Sequence, residues 1–182
     1  MTERPTLYTE RLILRPHTVW DADELQKLID DKDIASTMLT LPYPYSLEDA
    51  IDFLSNREDE YERTGSPEFA ITLKEGHFIG GIGMRLNKEH ENAEIGYWIG
   101  KPYWGFGYCT EAANAVVRYG FEVMGLNRVQ AKHMTRNPAS GRVMQKIGMK
   151  HEGHLRQNVK KWGKFEDMEL YGILRSEYFA KP

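Results

Sequence analysis

The chain is 182 residues long, 41% hydrophobic and 28% charged, which is the size of one domain and the composition of a folded chain rather than a disordered one. Lys and Arg number 24 against 27 Asp and Glu, a formal net charge of −3, so there is no chain-wide basic footprint for nucleic acid. The lone Cys109 excludes an intrachain disulfide framework and argues against a structural zinc site.

The chain opens on polar Met1 to Pro5, and Arg11 and Arg15 interrupt the apolar residues that follow. A secretory signal needs an unbroken apolar core, and no run approaches the roughly 20 apolar residues of a membrane span. These features predict a single cytoplasmic domain over 1–182, with neither a membrane nor a direct nucleic-acid partner. Leu7 to Arg15 alternates, with Leu12 and Leu14 on one side, and reads as a first strand ended by Pro16. Asp21 to Asp30 reads as a helix striped by Leu25, Leu28 and Ile29, and Asp33 to Leu39 as a second, short one. Two prolines keep Leu41 to Tyr45 from being helical. Ser46 and Asp49 have capping-box spacing, and the helix behind them runs to about Arg63.

Beyond Gly65-Ser66-Pro67 the pattern turns to strands. Glu68 to Lys74 and His77 to Leu86 read as a hairpin, and Asn92 to Gly100 as the next strand. Pro102 to Gly107 is a rigid, glycine-bearing loop. Thr110 to Met124 is the most regular helix, with Ala112, Ala115, Val116, Tyr119 and Val123 on one face and Gly125 behind it. Arg128 to Thr135 is a strand, and Pro138 to Ile147 a helix with Pro at its first position and Gly148 as its stop. The tail, Lys150 to Leu174, reads as two strands joined around Lys161-Trp162-Gly163-Lys164, a run that normally forms a solvated turn. Hairpins mixed with crossovers imply an α/β (α+β) chain, a mixed sheet with helices on both faces.

The segment with chemical content runs from Glu94 to Ala112. A strand feeds a loop containing Gly105 and Gly107, and the loop feeds a helix. Exposed amides at a helix N-terminus make an anion site, and glycines let the backbone approach a phosphate closely. A Walker loop needs Gly-Lys-Ser/Thr, which is absent. A Rossmann fingerprint needs a third glycine and an acidic residue after the next strand. Here Thr110 and Met134-Thr135-Arg136 stand in those places. A coenzyme A pyrophosphate loop is the third option, and a plain tight turn is the structural alternative.

Trp104-Gly105-Phe106-Gly107-Tyr108-Cys109-Thr110-Glu111-Ala112 resembles the acetyl-CoA loop of the GNAT acetyltransferases, closest to the branch of the ribosomal-protein N-acetyltransferases RimJ and RimL. The opening Thr9-Glu10-Arg11-Leu12-Ile13-Leu14-Arg15, the strand Glu94 to Ile99, and Asn137-Pro138-Ala139-Ser140 through Met149 resemble the same branch. Together they span nearly the whole chain. The loop departs from the general family pattern at Pro102, where Gln or Arg is usual. That shifts the expected cofactor contacts to the backbone.

The resemblance implies a mostly antiparallel GNAT sheet and direct attack of a primary amine on acetyl-CoA, the co-substrate. Amides of Gly105, Phe106, Gly107, Tyr108, Cys109 and Thr110 would cradle the pyrophosphate. The pantetheine would lie along Trp98, Ile99 and Gly100, in a slot where the strands of Glu94 and Arg128 splay. Asn137 would bond the pantetheine arm, and Ser140 would protonate the leaving thiolate. No metal is implied. The acceptor would be a ribosomal-protein N-terminus or a small amine, and the chain a monomer or homodimer.

Each assignment has a structural competitor. Asn137 also suits a helix N-cap before Pro138, and Ser140 a solvent-facing helix position. Tyr103 and Tyr108 are alternative proton donors. Glu94 shares a strand face with Gly96 and Trp98, and the missing side chain at Gly96 opens space for Glu94 to act as general base. It could instead pair with a neighbour such as Arg85. His133, on the face of Val129 and Ala131, is the second candidate base. His151 and His154 look like a metal pair lacking a third ligand. Leu39 to Ser46, with Tyr43 and Tyr45, would border the acceptor. Glu48, Asp49 and Asp52 either draw a cationic amine or serve a helix start. A non-catalytic acyl-CoA sensor and a nucleotide-binding domain are the competing functions.

Overall fold

The computed structural model describes residues 4–180. The strands are β1 (Leu7–Tyr8), β2 (Leu12–Pro16), β3 (Glu68–Leu73), β4 (Phe78–Asn87), β5 (Asn92–Ile99), β6 (Arg128–Met134), β7 (Lys150–Lys161) and β8 (Lys164–Leu174). They form one sheet in the order β1-β2-β3-β4-β5-β6-β8-β7. Each neighbouring pair is antiparallel except β5 and β6. The helices are α1 (Ala22–Ile29), α2 (Lys32–Thr37), α3 (Leu47–Ser55), α4 (Arg57–Thr64), α5 (Tyr108–Glu122), α6 (Pro138–Lys146) and α7 (Arg175–Phe179).

The sheet separates two cores. On one face α5 and α6 bury Phe69, Met84, Ile95, Val116, Phe121 and Met144 among others. On the other, α1, α2 and α3 bury Leu25, Ile34, Leu41, Tyr45, Leu54 and Phe78. Helices on both faces are what the mixed pattern predicts. Leu12 and Leu14 are wholly buried, as their alternation requires.

Three expectations need correction, and one element was not foreseen. The first strand is a hairpin, broken at Thr9 to Arg11 because these residues turn to hold Glu111. The helix after Ser46 keeps its capping box but breaks at Asn56, whose side-chain amide donates to the Asp52 carbonyl (2.7 Å) and competes with the helical ladder. A short helix, α7, follows β8, and Tyr178 packs on Phe121 with ring centroids 5.1 Å apart. Finally, Lys161 is buried, not solvated: its Nζ donates to the carbonyls of Met38 and Leu41, each at 2.7 Å. The next two residues, Trp162 and Gly163, both have positive φ, 48° and 81°, which matches the tight two-residue hairpin turn between β7 and β8.

His17 is buried beside Phe53 and Phe78, and its Nδ1 has no partner among the described residues. Burial pushes its pKa down to about 4. Its stabilising neutrality is therefore complete above about pH 6.5, the unfolded value, and is lost as pH falls toward 4. Denaturant unfolding should show stability dropping by about 3 kcal/mol across that window. His17→Phe should flatten that part of the profile, and an unchanged slope would refute the assignment.

Candidate active site

β5 and β6 pair at only three positions: Asn92 with Arg128, Ala93 with Val129 and Glu94 with Gln130. Beyond Glu94 the two strands part, although β5 continues to Ile99 and β6 to Met134. A slot therefore opens in the plane of the sheet, with the chain of β5 along one wall. At its end the chain passes through Gly105 and Gly107, with φ of 84° and 81°, into α5. These positive angles suit glycine and strain other residues. The amides of Gly105 to Thr110 donate to no acceptor among the described residues. A helix start leaves its first amides unpaired. Here the preceding loop extends that run, and the helix dipole adds partial positive charge.

The loop is held from outside. Glu111, in the first turn of α5, accepts from the Thr9 hydroxyl (2.6 Å), the Arg11 amide (2.8 Å) and the Arg11 guanidinium (2.7 Å). Desolvation alone would raise its pKa, but these bonds and the Arg11 charge together outweigh that and hold the carboxyl below the usual range. Arg11 also donates to the Phe106 carbonyl (3.0 Å) and lies over the Tyr108 ring. Trp104 Nε1 donates to the Ile99 carbonyl (2.6 Å), and Lys101 pairs with Asp33 (2.5 Å) in α2.

Alternation along β5 sorts the reactive side chains. Glu94, Gly96 and Trp98 face the α1 side, and Ile95 and Tyr97 the α5 side. A Cβ on Gly96 would meet nothing within 4 Å, so the space predicted beside Glu94 exists. The Glu94 carboxylate pairs with Lys132 (3.0 Å) and accepts from Gln130 (3.1 Å). It does not take Arg85, although Arg85 is its direct register partner. On the opposite face Ser140 Oγ donates to the Tyr97 hydroxyl (3.1 Å), which donates to the Ser140 carbonyl (3.0 Å). Burial raises the Tyr97 pKa strongly, so the phenol keeps its proton at neutral pH. Ser140 is half-buried, not a solvent-facing position.

The other candidates divide. Asn137 occupies the N-cap of α6 without a side-chain capping bond. Cys109 turns its thiol inward, where burial pushes it up to about 12, leaving only its backbone to face the loop. Trp98 packs on Phe78, and Gly100 donates to the Ile79 carbonyl and sits under Leu28. Tyr103 packs against the core, while Tyr108 is covered by Arg11. His133 is buried on the α6 face, with Nδ1 donating to the Met134 carbonyl (2.8 Å) and Gly141 pressed against Nε2. It lies across the sheet from Glu94. His151 and His154 both bond Glu169 at 2.7 Å, and no metal-holding group exists among the described residues. Asp49 serves the Ser46 capping box. Tyr45 is buried, so of the two tyrosines only Tyr43 reaches the surface, where it meets Trp162.

Sequence reasoning gave no role to Thr9, Arg11, Glu111, Tyr97 or Lys132. The first four lie inside the segments that carry the resemblance. Tyr97 could have been found from strand parity, which sets it opposite Glu94.

The sequence matches the family model described as an acetyltransferase (GNAT) domain over residues 11–150. It is 33% identical to N-acetyltransferase p20 of Bacillus licheniformis, itself uncharacterized, over 175 residues, 95% of this chain and 98% of that one. A spermidine N(1)-acetyltransferase of Vibrio cholerae is 25% identical over 141 residues, 76% of this chain and 79% of that one. The crystal structure of a GNAT-family acetyltransferase from Bacillus anthracis superposes with a TM-score of 0.84 at 28% identity, covering 95% of this chain and 100% of that one.

Removing the Glu111 carboxylate should free the loop. Glu111→Ala is expected to cost about 1–2 kcal/mol, the scale of bonds to a charged group after some solvent screening. Hydrogen exchange at Gly105 to Thr110 should quicken, and unchanged exchange there would refute the clamp.

Proposed function

Because the chain belongs to the GNAT acetyltransferase family, we propose that it moves acetyl from acetyl-CoA to a primary amine by direct attack within the β5–β6 slot. The observation that supports this is the placement of a carboxylate and a hydroxyl pair on opposite sides of one strand, where the slot begins. The unpartnered amides of Gly105 to Thr110 suit a pyrophosphate, because they combine hydrogen-bond donors with the positive end of the α5 dipole. The pantetheine runs from there into the slot, and the Asn137 side chain, which makes no capping bond, bonds it.

The amine approaches from the Glu94 face. Its nitrogen attacks the thioester carbon, and its proton passes to Glu94 directly or through a water. The new N–C bond forms as the C–S bond breaks. Sulfur leaves toward the other face and takes the hydroxyl proton of Ser140. Tyr97, whose own proton is held by burial and by its bond to the Ser140 carbonyl, orients that hydroxyl, and Ser140 regains a proton from solvent when CoA leaves the slot. The peptide groups of β5 beyond Glu94 are free of β6, so its edge can donate to the thioester oxygen as charge develops there. In this reading the acceptor is a protein N-terminus or a small amine.

Gly107→Arg should abolish acetyl-CoA binding measured calorimetrically, since a side chain there fills the cradle. Full affinity in a folded variant would refute the loop assignment. Ser140→Ala and Glu94→Gln should each lower kcat by about 10²-fold, the usual worth of a positioned acid or base. Acetyl-CoA affinity should stay near wild type in both. Unchanged turnover in either would remove that residue from the mechanism.

A further inference from the structure

An open groove of about 540 Å³ runs beside Glu94, on the face from which the amine approaches. Arg63, Arg85 and Lys88 line it together with Asn92, Glu94 and Gln130. The charges are unequally compensated. Glu94 is matched by Lys132, and Arg63 is held by Glu60 at 2.7 Å. Arg85 and Lys88 have no ion pair among the described residues. Arg85 is exposed and directly across the β4–β5 register from Glu94, yet the carboxylate turns to Lys132 instead. Two uncommitted cations thus share a groove with the carboxylate assigned to take the amine's proton, Arg85 directly beside it and Lys88 toward the β4–β5 turn.

We infer that this groove selects an amine acceptor carrying carboxylates next to its reacting amine, of the kind an acidic peptide N-terminus presents, over a polyamine. The inference rests on the acetyl-transfer reading and names its acceptor. The amine meets Glu94 at the mouth of the slot, and the carboxylates that follow meet Arg85 and Lys88. A polyamine would place its further positive charges against the same two side chains, a like-charge contact that disfavours it. Ionic attraction at an exposed groove is screened by salt, so the preference weakens as ionic strength rises.

The test measures thiol release from acetyl-CoA with three acceptors: the amidated tetrapeptide Ala-Glu-Glu-Phe, its Ala-Gln-Gln-Phe counterpart, and spermidine. The acidic peptide should have a kcat/KM at least about tenfold above both others at low salt, with the margin shrinking at high salt. Arg85→Gln should cut that margin to threefold or less, Arg85→Lys should restore most of it, and Lys88→Gln should reduce it. Acetyl-CoA titration of each variant reports whether it is folded. If Arg85→Gln fails to bind acetyl-CoA, Lys88→Gln decides the matter. Preference for spermidine or the neutral peptide, or a margin unmoved in the folded variants, would overturn the acceptor class while leaving acetyl transfer standing. No release with any of the three, from protein that binds acetyl-CoA, would likewise overturn the acceptor class, whereas loss of acetyl-CoA binding by the wild-type chain would overturn acetyl transfer itself.

Discussion

The structure depends on the abrupt end of one pairing. β5 and β6 run parallel for three residues and then part. A parallel pair needs a crossover, and α5 supplies it. The crossover starts at the far end of β5 and returns the chain to its beginning. The first turn of α5 therefore sits at the open end of the gap, with its unpaired amides facing the place where the strands are apart. Gap and anion cradle come from one topological event. Antiparallel neighbours on both sides, β4 and β8, hold the parted strands in place, so the opening is fixed by the sheet and does not require a moving segment.

A gap of this kind is useful only if its contents are located, and the remaining contacts serve that purpose. Glu111 gathers donors from the β1–β2 turn and fixes the start of α5. Its side chain is mostly covered, so these charge-assisted bonds escape much of the screening that weakens surface pairs. Lys161 performs a similar task across the molecule, gathering carbonyls from the segment between α2 and α3. Lys161, a buried charge, satisfies carbonyls that regular structure leaves unpaired, and the partly covered Glu111 does the same for the Arg11 amide. Charge is spent here on geometry more than on net stability.

Much of this was legible in the residues. Alternation placed Leu12 and Leu14 inside and put Glu94 on the face of Gly96. The capping box, the glycine stops and the loop before α5 were all local signals, and local physics fixes them. The misreadings share a cause. Thr9 to Arg11 leave the strand for a partner about a hundred residues away, and Lys161 goes inside for carbonyls more than a hundred away. Asn56 breaks a helix by a bond its sequence permits but does not demand. No short window of sequence contains the partners of Glu111 and Lys161, and the window around Asn56 holds its partner without fixing the bond. The pairing of Glu94 with Lys132 rather than Arg85 is of the same type, since it depends on which strand lies beside β5.

The alternation of β5 has a consequence for how such a chain can change over time. Glu94 and Tyr97 are three residues apart, an odd number, and so look out on opposite faces. One residue inserted or deleted between them would bring both to a single face and move every later side chain of the strand to the wrong core. Length variation in this family can therefore accumulate in the turns at either end of β5. Between Glu94 and Tyr97 the strand is closed to it, whatever residue types the intervening positions accept.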